Sequence, residues 1–164
     1  MRKLIATAMI AWCAGIAAQE REAPSRAIDR WPQALGVYAN SESTGGLSWQ
    51  AWFGTTGVQA AAGAIYMPYG DYATLDYNIQ ASVQFLVYGE DFADWISGGL
   101  YFLAHAGHRG FGWPDYTPEF FLGAGIGCEL ILFQHFSGSL EFSYMAKIPF
   151  EIAFSFGGSA RYRY

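Results

Sequence analysis

Five charged side chains near the C-terminus, Glu141, Lys147, Glu151, Arg161 and Arg163, all occupy odd-numbered positions. On an extended strand successive side chains point to opposite faces, so these five share one face, and the even-numbered residues between them are almost all apolar. Charges gathered on one side of a greasy strand must be solvated, paired with one another, or gathered inside a narrow polar lumen. The preferred pairing is Glu141 with Arg161 or Arg163, because a turn near Pro149 brings two antiparallel strands to comparable height.

Three other groups could carry chemistry. In Gln134-His135-Phe136-Ser137, a His-x-Ser spacing on a strand puts both side chains on one face. There an imidazole could activate the hydroxyl, with Glu129 or Glu141 as the acid. The same residues read well as a plain turn, and the chain is read as non-enzymatic. His105 and His108, three apart, fall on opposite faces of a strand without a cysteine or carboxylate cluster, so neither a metal nor a cofactor is expected. The stretch from Gly107 to Pro118 reads as the longest connection, and it carries Arg109, Phe111, Trp113 and Tyr116 as candidates for contact with a partner or small ligand.

The elements that must position these groups are strands. Leu140, Phe142, Tyr144, Ala146 and Ile148 alternate with Glu141, Ser143, Met145 and Lys147, and the pattern resumes after Pro149 from Phe150 to Tyr164. Between Asp76 and Tyr88 the parity is reversed: Tyr77, Ile79, Ala81, Val83, Phe85 and Val87 oppose Asp76, Asn78, Gln80, Ser82 and Gln84. From Glu119 to Phe133 the apolar even positions face Gly123, Gly125, Gly127 and Glu129. Noisier segments span Ala34 to Asn40, Gly46 to Phe53, Val58 to Met67 and Asp94 to Ala106. Turn-like clusters separate them, including Gly89 to Ala93 and Gln134 to Gly138. The reading is eight strands, with no helical period of useful length.

The chain opens Met1-Arg2-Lys3, continues with an apolar run from Leu4 to Ile16, and turns polar after Ala17 and Ala18. That is the layout of a secretory leader, and the run is too short to cross a bilayer as a helix. Residues 1–18 are therefore expected to be removed after Ala17 or Ala18, residues 19–32 to form a flexible or loosely docked arm, and residues 33–164 to form the folded domain. Cys13 leaves with the leader, so Cys128 has no internal disulfide partner. The formal charge of the whole chain is −5, and it becomes more negative when Arg2 and Lys3 are lost, which argues against nucleic acid as a partner.

A greasy face on every strand must meet either a second sheet or lipid. The opposite faces carry Ser, Gly, Gln and isolated charges rather than the Lys, Glu and Thr that coat the outside of a soluble sandwich. With 14% charged and 18% aromatic residues, the balance favours lipid, where only a closed sheet satisfies every backbone group. The expected architecture is all-β: a closed, antiparallel, up-and-down transmembrane barrel of eight strands. Trp49, Phe53, Tyr66, Trp95, Tyr162 and Tyr164 are candidates for its interfacial aromatic girdles.

The leader, the stretch Phe121-Leu122-Gly123-Ala124-Gly125-Ile126-Gly127-Cys128-Glu129 and the ending Gly158-Ser159-Ala160-Arg161-Tyr162-Arg163-Tyr164 together resemble the small eight-stranded outer-membrane barrels, the group of the OmpA transmembrane domain, OmpX and OmpW. The resemblance implies a bacterial outer-membrane location with surrounding lipid, and Tyr162 and Tyr164 as the signal taken up by the barrel-assembly machinery. Its OmpW-like members imply passage of small hydrophobic solutes through a narrow lumen. Its OmpX- and OmpA-like members imply a structural or adhesive barrel that meets a host surface molecule. Residues 137–139 depart from the lipid A deacylase motif, since Gly138-Ser139 follows Ser137 in place of Asn-Ala.

Overall fold

Alternation of residue type becomes alternation of exposure along nearly the whole chain after Pro32. In the computed structural model the described residues are 27–69, 72–111, 117–148 and 151–164. The leader expected over residues 1–18, with its cleavage site, lies outside them. A single helical turn, α1 (Ala27–Arg30), precedes the strands β1 (Gln33–Asn40), β2 (Ser43–Phe53), β3 (Thr56–Tyr69) and β4 (Tyr72–Ala93). The chain continues with β5 (Ile96–Phe111), β6 (Thr117–Leu132), β7 (Phe136–Ile148) and β8 (Glu151–Arg163).

Each strand pairs antiparallel with the next, and β8 returns to β1 with Ala34 opposite Arg163, so the sheet closes into the eight-stranded up-and-down barrel that the alternation predicts. An even strand number puts the start of β1 and the end of β8 at one end, called here the terminal end, together with the β2–β3, β4–β5 and β6–β7 turns. The other four connections define the loop end.

The side chains are distributed inside out. On β7, Leu140, Tyr144 and Ile148 are exposed, while Ser139, Glu141, Ser143 and Lys147 are buried. Tyr144 is 67% exposed and Glu141 only 6%, the reverse of what water selects. A wall of exposed Leu, Ile, Phe and Tyr on all sides is stable only against hydrocarbon. No described helix is long and apolar enough to cross a membrane; the strands supply the crossing, and their closed ladder leaves no edge unpaired in lipid.

Glycines on the inner wall make room for large rings. A Cβ at Gly127 would collide with the Tyr101 ring, and one at Gly107 with Phe121. Gly107 is therefore a strand position rather than the start of a loop.

Two expected connections are corrected. The cluster Gly89 to Ala93 is not a turn but the end of β4, and the turn is Asp94-Trp95. Register shifts between Leu86 and Tyr88 and between Asp91 and Ala93 break the period of two, so the strand loses its alternation without ending. The long loop expected from Gly107 to Pro118 shrinks to residues 112–116, because β5 and β6 stay paired up to Phe111 opposite Thr117. The β6–β7 turn is built without glycine: Phe133 and Gln134 both take positive φ, 52° and 67°. It is braced by Phe133 N donating to the Trp95 carbonyl at 2.7 Å and by the Trp95 and Phe133 rings, stacked 6.0 Å apart.

The segment ahead of β1, expected as a loosely docked arm, ends in a docked turn: Ala27 and Ile28 of α1 are buried with Trp52, Tyr101, Leu103 and Ile131.

Candidate functional site

The inward faces of the strands bring the polar residues together in the lumen. At its centre a chain of hydrogen bonds joins strands that are not neighbours in the wall. Arg163 Nη2 donates to Glu129 Oε1 at 2.6 Å and to Gln50 Oε1 at 3.0 Å. Gln50 Nε2 donates to Gln84 Oε1 at 2.9 Å, and Gln84 Nε2 reaches Gln59 Oε1 at 2.9 Å and Glu141 Oε1 at 3.3 Å. The Tyr101 hydroxyl completes the chain with a 2.9 Å bond to Glu141 Oε1. Beside it, Arg161 Nε donates to Ser48 Oγ at 2.8 Å, and the Ser139 and Ser159 hydroxyls meet at 2.6 Å.

Gln50, Gln84 and Arg163 have 0% exposure, so at this level the lumen is filled by side chains rather than by a water column. The Arg163 charge is compensated, because Glu129 and the Gln50 and Trp31 carbonyl oxygens accept its protons, whereas Arg161 Nη1 and Nη2, Arg163 Nε and Glu129 Oε2 are buried without a hydrogen-bond partner among the described residues.

A second cluster stands at the loop end. Glu42 accepts from Lys147 at 2.6 Å and lies 3.6 Å from Arg109, which in turn holds Glu119 at 2.7 Å. Lys147 also lies 3.9 Å from Glu151. These pairs span β1–β2, β5, β6, β7 and β8 and bridge the mouth. Nearer the middle, Asn40 Nδ2 contacts the Tyr38 hydroxyl and Gln80 Oε1, at 3.4 and 3.5 Å.

Of the residues singled out in the sequence, Glu141, Lys147, Arg161 and Arg163 are buried in the lumen. Glu151 is not among them: as the first residue of β8 it lies on the rim, with 66% of its side chain exposed. Of the expected pairings of Glu141, that with Arg163 is corrected, while Arg161 stands near enough to act on Glu141 as a charge without a direct ion pair. Arg163 takes Glu129, two strands away across β7, and Glu141 is held by Tyr101 and Gln84.

Arg109, expected on a loop, is a β5 residue directly opposite Glu119 and ion-paired with it. Phe111 ends β5, and Trp113 and Tyr116 lie outside the described residues. Tyr162 and Tyr164 point outward, each about half exposed, and Tyr162 stacks on His135 at 5.3 Å.

His135 and Ser137 are not hydrogen-bonded to each other. The His135 Nδ1 is bonded to the Arg163 carbonyl at 2.9 Å, while Ser137 is buried in the lumen wall opposite Arg161. His105 and His108 occupy opposite faces: His105 packs inside against Phe121, and His108 shares a 2.9 Å hydrogen bond with the Tyr77 hydroxyl. Residues the sequence reading left out of the site are Gln50, Gln59, Gln84 and Glu42. Inward parity was the available signal for Gln84, whereas the strand around Gln50 and Gln59 was too noisy to assign a face.

Fold and side-chain distribution define the class of protein, an eight-stranded transmembrane β-barrel of the outer-membrane kind whose lumen is occupied by its own polar side chains. No protein-family model matches the chain, and no curated protein sequence matches it. Among solved structures it is similar to Ail, the attachment invasion locus protein of Yersinia pestis, crystallised with the heparin analogue sucrose octasulfate: 14% identity, 81% of this chain and 97% of that one covered, TM-score 0.42. A second crystal structure of Ail gives 14% identity, 81% and 94% coverage and a TM-score of 0.41.

Proposed function

We propose that the chain is a non-enzymatic, non-conducting barrel of the bacterial outer membrane, with a structural or surface-interaction role rather than a transport role. The observation that carries this reading is the unbroken chain from Glu129 through Arg163, Gln50 and Gln84 to Glu141 and Tyr101, which crosses the lumen with no member more than 6% exposed. A path for small hydrophobic solutes needs an apolar, open bore. Of the apolar residues that could line one, Ile65 shares the inward parity of Gln59 and Ala61 but stands toward the loop-end mouth, 46% exposed, while Trp52 and Tyr101, with Leu86 against them, are packed into the core with α1. On this reading the parts that meet other molecules are the lipid-facing wall, the rim around Glu42, Arg109, Glu119 and Glu151, and the connection at residues 112–116. A host surface molecule would be met at that rim. Tyr162 and Tyr164 are proposed as the signal for the barrel-assembly machinery, and residues 1–18 as the leader.

The test is uptake into proteoliposomes carrying the folded full chain, with a small sugar and a small hydrophobic fluorophore as solutes. The expected result is uptake no faster than in empty liposomes for both. Accelerated uptake of the fluorophore alone would restore the hydrophobic-passage reading.

A further inference from the structure

The outer wall is not uniformly bulky. Toward the terminal end, Gly98 on β5, Cys128 on β6 and Gly138 on β7 place small groups on the outward faces of three successive strands. Tyr88 and Phe92 of β4 stand on one side of them and Leu140 of β7 on the other, and between these walls lies a groove of about 400 Å³. That volume falls in the range of ligand clefts, about 300–1,000 Å³. The Phe92 ring lies against Gly98, where a Cβ would come within 2.9 Å of it. Outside Gly138 the space is open: a Cβ there would meet only the Ser159 carbonyl oxygen, at 3.7 Å.

In hydrocarbon an apolar groove gains nothing from excluding water, since lipid tails are as apolar as its walls. What it offers is contact on three sides. A lipid chain on a convex wall touches protein along one side, whereas a chain in the groove touches the floor and both flanks, and dispersion contacts are small singly and large in sum. The groove continues the lipid-facing wall, so the medium around it supplies a linear occupant of the right chemistry.

The groove also has a polar end. Tyr88, on its wall, donates its hydroxyl to Glu90 Oε2, which holds the Glu90 carboxylate beside the lip. Glu90 is exposed, and no basic side chain is paired with it among the described residues; Arg30, the basic residue of α1, is ion-paired with Asp91 instead. The stacked rings of Trp95 and Phe133 at the two neighbouring turns mark the depth at which lipid headgroups begin. A carboxylate at that depth, with an apolar channel leading away from it, complements a lipid whose head carries a positive charge able to donate hydrogen bonds.

We propose that the groove over Gly98, Cys128 and Gly138 is a binding site for one phospholipid with a primary-amine headgroup, its ammonium on Glu90 and one acyl chain between Phe92 and Leu140. An anionic headgroup meets no cation at Glu90 and is repelled there. The site depends on the lipid-facing wall and not on the filled lumen, so its failure would leave the non-conducting reading standing.

The test is lipid titration of the folded full chain, followed by native mass spectrometry, with phosphatidylethanolamine and phosphatidylglycerol of identical acyl chains. Heat-modifiable migration verifies the fold of every variant. The first phosphatidylethanolamine is expected to bind about threefold or more tighter than the first phosphatidylglycerol, the scale of one exposed ion pair. Glu90→Gln should remove that preference. Gly138→Leu, which fills the open space, should weaken binding of both lipids, whereas Ala104→Leu, which adds bulk to the exposed face of β5 away from the groove, should not. Equal binding of the two lipids, a preference that survives Glu90→Gln, or a loss with Ala104→Leu as large as that with Gly138→Leu would each overturn the proposal.

Discussion

Arg163 and Glu129 are almost completely removed from solvent, with side-chain exposures of 0% and 2%, and lie 2.6 Å apart. Removing either therefore strands the other's charge in the lumen. Glu129→Ala is expected to cost about 3–5 kcal/mol of stability, the usual penalty for breaking a buried pair from one side. Glu151→Ala, on the solvated rim, should stay within about 0.5 kcal/mol of the parent. Urea unfolding of both variants in lipid vesicles, followed by tryptophan fluorescence, checks the contrast, and equal losses would contradict the assignment of the two carboxylates. The inward parity of Glu129, Glu141, Arg161 and Arg163 was legible in the sequence because a strand has a period of two. The choice of partner was not, because Glu129 and Arg163 sit on strands separated by β7, and only the closed cross-section of the barrel brings them within reach.

At the scale of the strand, each inward ring needs room made by its neighbours. Gly127→Val should force Tyr101 out of its seat and cost about 1–3 kcal/mol, as overpacking does. On the outer face of the same strand, Ile126→Arg places a charge toward lipid at a cost of about 2–4 kcal/mol near the bilayer midplane. The fraction of chain that keeps fast, heat-modifiable gel migration reads both; unchanged migration and unfolding midpoint for Ile126→Arg would deny β6 its lipid face. β6 to β8 were readable in advance because their alternation is unbroken. β4 and β5 were cut short for two different physical reasons. Register shifts after Leu86 and Asp91 scramble parity while the ladder continues. On β5, Gly107, His108 and Arg109 resemble loop composition, but they are a ring seat, an outer-wall hydrogen-bonding residue and one half of the Arg109–Glu119 pair.

For the whole molecule, three layers share the closure of the bore: the apolar cluster of α1 with Trp52, Tyr101, Leu103 and Ile131 at the terminal end, the glutamine, arginine and tyrosine network at mid-height, and the ion pairs joining Glu42, Arg109, Glu119 and Lys147 at the loop end. The first two are buried, and the third is largely buried too, with side-chain exposures of 9% for Lys147, 13% for Arg109, 14% for Glu119 and 23% for Glu42, so salt screens it less than it would an exposed pair. An eight-stranded barrel is just wide enough for its interior to be filled by side chains, and this one fills it with groups that hydrogen-bond across the diameter. The measurement that tests this account most directly is single-channel recording from the folded full chain in a planar bilayer, with heat-modifiable migration verifying the fold of the same preparation. The account predicts a heat shift and a silent membrane at low and high salt alike. A heat-shifted preparation that produces discrete, long-lived conductance steps would contradict the filled lumen on which the functional reading rests.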